Sequence, residues 1–288
     1  MILVTGAAGK TGRAVIKALA ATGAQVRALV RRPGEAGALK ALGAAAVSIG
    51  SFEDRGALAL AAVGVQAVYH ISPNVSANEI AYARAVAEAA KAQNVERFVY
   101  HSVLHPQIEA MPHHWAKLRV EEMLFGCGFE LTILQPTAYM QNILGAWRGI
   151  VADGVYRIPY PVETRLSLVD LDDVAAAAAL VLTTGGHAGA TYELAGTPPL
   201  AQTEIATALT TALGRTVRAE AETIEVWDAR ARQSGVGEHE RATLAAMFRY
   251  YASDGLIGNP NTLHWLIGRP PNDLPHFLRH AVAAQSET

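Results

Sequence analysis

The first twelve residues, MILVTGAAGKTG, constrain the chain more than any other stretch. A short apolar, β-branched run passes into three evenly spaced glycines, Gly6, Gly9 and Gly12, and then straight into a helical pattern. A strand ending in glycine before a helix is the opening of a βαβ unit, and its loop lets backbone N–H groups approach an anion. Gly6 is expected to make the tight turn, Gly9 the close approach, and Gly12 the room for the helix to pack on the strand. A helix starting near Lys10 or Thr11 adds its first N–H groups and the positive end of its dipole. The ligand this arrangement suits is a pyrophosphate-bridged dinucleotide, with Gly6, Ala8, Gly9, Lys10, Thr11 and Gly12 as its contacts.

The rest of the first half repeats the rhythm. Strand-like runs at 2–5, 25–30, 45–49, 65–71, 97–102 and 131–134 alternate with amphipathic or alanine-rich stretches such as ANEIAYARAVAEAAKAQN. Strands separated by helix-length segments pair in parallel, and runs that are apolar throughout are covered by helices on both faces. The fold class read from this is α/β: a Rossmann-like doubly wound parallel sheet with a smaller, partly interleaved C-terminal substrate lobe. The dinucleotide-binding domain is expected over residues 1–135 and the lobe over 136–288, with segments around 166–195 returning to the sheet.

Within the lobe, TAYMQNILGAWRG reads as a helix, GVYRIPY as a strand, and SLVDLDDVAAAAALVLTT as a strand feeding a helix. Asp170, Asp172 and Asp173 are alternative caps for that helix. TYELAG reads as another strand, LAQTEIATALTTALG as a helix closed by Gly214, and PPNDLPHFLRHAVAA as a terminal helix.

Bulk properties exclude several functions. The 288 residues carry 24 basic and 26 acidic side chains, a net charge of −2, so no broad basic face for nucleic acid is expected. The single cysteine, Cys127, permits no internal disulfide and reads as a packing residue of a reducing compartment. The N-terminus lacks the basic region of a signal peptide, and the longest apolar run, VAAAAALVL, is too short for a membrane span. A soluble, cytoplasmic protein without a nucleic-acid or membrane partner is the expectation.

Further landmarks follow the glycine loop in order: ALVRRP, YHISP, NVERFVYHSV, LQPTAYMQNI, LSLVDLDDVAAAAALVL, TYELAGTPPLAQTEIATALTTALGR and LIGRPP. With the G-x-x-G-x-x-G spacing, they resemble the NmrA-like atypical group of the short-chain dehydrogenase/reductase superfamily along nearly the whole chain. The resemblance implies one of two functions. One is NADPH-dependent reduction of a quinone or a triphenylmethane dye; the other is a dinucleotide-sensing regulator that binds a protein partner and turns nothing over.

The end of the second strand bears on the cofactor. NAD-preferring relatives of this fold place an acid there, about 20 residues past the glycines, to accept from the ribose 2′-hydroxyl. This chain has Arg31 and Arg32, with no acid before Glu35. A guanidinium clamps a 2′-phosphate that a carboxylate would repel, so NADP(H) is expected over NAD(H), with Lys10 as a second cation. Where relatives carry an aspartate after the third strand, the sequence reads GSFED and offers Ser51 to the adenine.

The superfamily's Tyr-x-x-x-Lys is altered. Lys117 stands at the lysine and would hold the nicotinamide ribose, but four residues earlier stands His113. Positions i and i+4 share a helix face, which makes His113 the candidate proton donor or polar substrate contact. Ser102 stands where the superfamily often keeps a serine facing the substrate, and Tyr139 and Asn142 are candidates for the substrate pocket.

Other constellations carry less. His101 and His105 fall on a strand end running into a loop with a proline rather than on a helix, and no paired Cys or acidic ligand set accompanies them or His113 and His114, so no metal is expected. No serine sits in G-x-S-x-G, so hydrolase chemistry has no support. The stretch WDARARQ, balanced by GEHER, reads as a solvated face, and Trp227, Phe248, Tyr250 and Tyr251 as lobe core.

Overall fold

The structure is a computed structural model that describes residues 1–286. It divides into two compact units: residues 1–109, 113–135 and 174–192 form the first, and 110–112, 136–173 and 193–288 the second.

In the first unit, strands and helices alternate as the sequence pattern requires. β1 (Ile2–Val4), α1 (Lys10–Ala21), β2 (Val26–Val30), α2 (Ala36–Ala41), β3 (Ala46–Ile49), α3 (Arg55–Ala62), β4 (Ala67–His70), α4 (Glu79–Ala92), β5 (Arg97–His101), α5 (Pro112–Phe125) and β6 (Glu130–Pro136) follow in order. The sheet runs β3-β2-β1-β4-β5-β6, and every one of these pairs is parallel. Strand order therefore reverses between β1 and β4, the point at which doubly wound sheets bind their ligands.

Burial grades across the sheet as expected of a covered layer. β1 and β4 are buried at every residue, whereas the edge strand β3 is only half-buried and leaves Ile49 exposed. Alanines at 83, 85, 87 and 90 bring α4 close to the sheet, where they join Val68, Phe98 and Leu124 in one core. Cys127 packs at the margin of that core, its thiol directed to the Met123 carbonyl.

The second unit departs from the sequence reading at its start. The stretch read as a helix over 137–149 instead begins with β7 (Ala138–Tyr139), followed by a 3₁₀ segment at Met140–Ala146. The α-helix α6 starts only at Trp147 and ends at Asp153. Tertiary pairing overrides the local pattern: β7 lies parallel to β10 (Leu168–Val169), and the Thr137 hydroxyl donates to the Ser167 carbonyl at 2.7 Å. β8 (Val155–Ile158) falls where GVYRIPY predicted a strand, and β9 (Arg165–Leu166) follows.

α7 (Leu171–Thr183) begins at Asp170, whose Oδ1 accepts from the Asp172 N–H at 3.2 Å. Of the three candidate caps, Asp170 therefore fills the position. β11 (Thr191–Leu194) adds to the sheet beside β6, giving seven strands. β12 (Leu200–Ala201), α8 (Gln202–Leu213, closed by Gly214 in the left-handed region), β13 (Arg218–Ala221) and α9 (Ile224–Gln233) come next. The chain ends with α10 (Glu238–Asp254), α11 (Pro260–Ile267) and α12 (Leu274–Ser286). β9 pairs antiparallel with β12, and β8 parallel with β13.

On α9 the arginines are matched by acids, Arg230 with Glu222 and Arg232 with Asp228. Trp227 meets Phe248 edge-on, and Tyr251 is buried against Tyr160. Tyr250 stays only half-buried, so it belongs to the rim of that core. No described helix is long and apolar enough to cross a membrane.

Candidate functional site

The glycine loop closes over the β1/β4 switch point. Gly6 has φ +57°, and a Cβ there would lie 2.7 Å from the Ile71 carbonyl oxygen. At Gly12 a Cβ would lie 2.4 Å from the Gly6 oxygen and 2.7 Å from the Ala7 Cα. Gly12 thus packs α1 onto the loop itself rather than onto the strand. Gly9, exposed, sits at the N-cap of α1, where no side chain caps the helix and its first turn carries no acid. Thr11 is buried beneath the loop, Ala8 half-buried and Lys10 exposed. The backbone therefore leaves a cradle that a side chain would fill, ending on a helix start with no side-chain cap at Gly9. This fits an anionic diphosphate.

Thr5 locks the two strands that flank the switch. Its N–H donates to the Tyr69 carbonyl at 3.0 Å, its hydroxyl accepts from the Ile71 N–H at 3.0 Å, and it bonds His70 Nδ1 at 2.9 Å. The two arginines after β2 part company. Arg32 turns its Nε onto Glu35 Oε1 at 2.9 Å, whereas exposed Arg31 has no ion-pair partner among the described residues. Ser51, half-buried, is engaged in its own turn and accepts from the Glu53 N–H at 3.3 Å.

Lys117 lies in a buried polar cluster that the sequence reading missed. Its Nζ donates to Glu79 Oε1 at 2.9 Å and to the His101 carbonyl at 3.3 Å, and it stands 5.3 Å from the centre of the Tyr100 ring. The Tyr100 hydroxyl donates to the same Glu79 oxygen at 2.8 Å. His70 stacks on Tyr100, and His101 Nδ1 bonds the Tyr69 hydroxyl at 2.7 Å. Burial alone would raise the Glu79 carboxyl, but the charge of Lys117 and the bonds from Lys117 and Tyr100 hold it below its ordinary value. Tyr100 is pushed well above the phenol range by burial and by Glu79, so its hydroxyl keeps its proton.

His113 differs from expectation in its electrostatics. Burial, with a smaller contribution from Lys117, lowers it to about 4, so at neutral pH it is an uncharged imidazole and not a reservoir of acid protons. Its Nδ1 is buried without a partner, alone in this among the described side chains, and its ring meets His114 edge-on at 4.5 Å. Ser102 is also committed: its hydroxyl donates to the buried carboxylate of Glu121, which accepts from Gln135 Nε2 at 2.9 Å as well. With its one proton used there, Ser102 cannot donate to a carbonyl in this arrangement.

Among the described residues no group of three or more His, Cys, Asp or Glu is placed to hold a metal ion. Tyr139 and Asn142 belong to the second unit, Tyr139 half-buried in β7 and Asn142 exposed in the 3₁₀ segment.

A parallel sheet of order 3-2-1-4-5-6 with a glycine cradle at its switch point defines a Rossmann-type nucleotide-binding protein. The chain belongs to the NmrA-like family, whose profile matches residues 1–277. It is 31% identical over 282 residues to quinone oxidoreductase 2 of Escherichia coli K12, covering 97% of this chain and 98% of that protein. It is also 31% identical over 289 residues to the NAD(P)H azoreductase of Xenophilus azovorans, covering 99% of each. The crystal structure of the E. coli quinone oxidoreductase complexed with NADPH superposes with a TM-score of 0.87 over 98% of this chain and all of that one. The triphenylmethane reductase of Citrobacter sp. complexed with NADP(H), 25% identical, gives 0.85 over the same shares.

Proposed function

We propose that this NAD(P)H-dependent oxidoreductase uses NADPH to reduce a small aromatic acceptor such as a quinone. In this reading the loop from Gly6 to Gly12 holds the diphosphate, Arg31 the 2′-phosphate, Ser51 the adenine edge and Lys117 the nicotinamide ribose. Arg32, drawn to Glu35, takes a secondary part, as does Lys10. Tyr139 and Asn142 are assigned to the acceptor. The bound cofactor supplies the hydride; the chain's residues orient the two partners and exclude water.

The observation that carries the acceptor class is the uncharged His113. A plain ketone accepting hydride becomes an alkoxide and needs an acid at the reacting oxygen. A quinone yields the anion of a weakly acidic phenol, which water protonates, and a cationic dye needs no proton at all. The site pairs a ribose-holding lysine with an imidazole that is not charged at neutral pH, and Ser102 is committed to Glu121. That combination suits acceptors of the second kind, with His113 as a polar contact.

The test is cofactor oxidation, followed by absorbance, against a panel of quinones, azo and triphenylmethane dyes and plain ketones, with NADPH and NADH in parallel. Turnover with quinones or dyes, none with ketones, and faster saturation by NADPH are expected. His113→Phe should keep its rate within about threefold. No turnover across the panel, together with tight NADPH binding, would replace the enzyme by a dinucleotide sensor.

A further inference from the structure

We propose that Glu79 is a positioning residue for the cofactor, acting through Lys117: it holds the lysine in register so that one ammonium proton is presented to the nicotinamide ribose. The inference rests on the assignment of Lys117 to the ribose.

Three observations support it. First, an ammonium has three protons. Glu79 Oε1 and the His101 carbonyl take two, and among the described residues no third acceptor is present, so one donor remains for a ligand. Second, the carboxylate itself is held from two sides. It lies at the start of α4, almost wholly buried, and the Tyr100 hydroxyl bonds the same oxygen that receives Lys117, so Tyr100 of β5 fixes the height at which Glu79 meets the lysine. Third, a buried carboxylate with no other cation beside it is costly unless paired. Glu79 continues the buried stripe of α4 formed by Ala83, Val86 and Ala90, a place that packing alone would fill with an apolar residue.

The groups around Lys117 define what happens when Glu79 is removed. Facing it are Glu79 from α4, Tyr100 and His101 from β5, His70 from β4, and His113, His114 and Glu121 from α5. The histidines are all uncharged at neutral pH because of burial, and Tyr100 keeps its proton. Glu121 is engaged by Ser102 and Gln135. Glu79 is therefore the anion bonded directly to the lysine. Without it, the lysine loses the charged partner that fixes its side chain, and its third proton is no longer aimed at the ribose.

Calorimetric affinity for NADPH, and for adenosine 2′,5′-bisphosphate, which lacks the nicotinamide ribose, tests this on four full-length proteins: wild type, Glu79→Gln, Lys117→Met and the double variant. Lys117→Met should bind NADPH about tenfold more weakly than wild type and leave the bisphosphate within about twofold. Glu79→Gln should bind NADPH about threefold more weakly and also leave the bisphosphate within about twofold. A Glu79 that merely supports the fold would lower the melting temperature and weaken both ligands alike, so an equal loss overturns the inference. The double variant should match Lys117→Met, because Glu79 acts only through the lysine. A double variant more than about threefold weaker overturns it too. This variant leaves no lone buried charge, so it serves as the test if Glu79→Gln does not fold. Lys117→Met binding like wild type would remove the lysine from the ribose and overturn both readings. Sensitivity to Lys117→Met without sensitivity to Glu79→Gln overturns the role of Glu79 alone.

Discussion

Two clusters of buried charge, one in each unit, are built to opposite rules. Around Lys117 in the first unit the network is open: Glu79 and the His101 carbonyl occupy two ammonium protons, and the imidazole of His113 keeps a buried nitrogen without a partner. At the start of α7 in the second unit it is closed. Asp170 accepts from Gln141 Nε2 at 2.7 Å and from Asp172 N–H through one oxygen, and from Asn272 Nδ2 at 3.0 Å through the other. Asp173, with no exposed side chain, accepts from Arg269 at 2.5 Å and from the Asn272 N–H at 2.6 Å. All four carboxylate oxygens have protein donors. A saturated network fixes the chain to itself, here tying LSLVDLDDV to LIGRPPN; an unsaturated one holds bonding capacity in reserve for something else.

The sharpest way to break this contrast is Arg269→Ala. It leaves Asp173 buried with its main counter-charge gone, which should cost about 3 kcal/mol of stability. Because the closed cluster has no bond to spare for a ligand, NADPH affinity measured below the melting transition should stay within about twofold of wild type. Denaturant unfolding and calorimetry read the two quantities separately. A variant of full stability, or one that loses cofactor at unchanged stability, would show that the closed cluster is not a staple.

Gly12→Ala makes the converse test. The new methyl would meet the Gly6 oxygen at 2.4 Å and the Ala7 Cα at 2.7 Å, both backbone atoms that cannot step aside. Opening the loop by that much should cost about 2 kcal/mol in stability. It should also abolish measurable NADPH binding, since the cradle's amides no longer converge. Here ligand affinity falls further than stability, the reverse of Arg269→Ala.

Much of this was legible before the fold. The glycine spacing placed the cradle, and apolar runs at the right intervals placed six strands of the sheet. Lys117 stood out through the resemblance to Tyr-x-x-x-Lys on the helix after the fifth strand. What escaped notice has one physical cause: periodicity says which face of an element is buried and not which residue of another element lies opposite. Glu79 meets Lys117 across 38 residues and Tyr100 across 21. A signal was nevertheless present. Glu79, Ala83, Val86 and Ala90 share one face of α4, and Lys117, Glu121 and Leu124 share one face of α5. An acid on an apolar stripe announces a buried carboxylate that must have a partner. Arg32 and Glu35 were both in view, but not that the acid would take one arginine and leave Arg31 to the solvent. The 137–149 stretch misled because its helical spacing is local, whereas β7 is fixed by pairing with a strand thirty residues on.

The smallest effect sharpens the comparison by pH. Burial lowers His70 to about 4, His101 to about 3, His113 to about 4 and His114 to about 3, and all four belong to the first unit. In the unfolded chain these side chains take up protons near pH 6.5. As pH falls below that value the unfolded state binds protons that the folded state refuses, so stability is fully present above it and is lost toward pH 4. Each histidine contributes a slope of about 1.4 kcal/mol per pH unit. His101→Asn keeps a polar atom for the Tyr69 hydroxyl and removes one titrating ring. Urea midpoints between about pH 6 and about pH 4 should then show a slope shallower by about that one proton. An unchanged slope would mean that His101 is already charged in the folded protein. The Tyr69 bond and the neighbouring ammonium would then need another explanation.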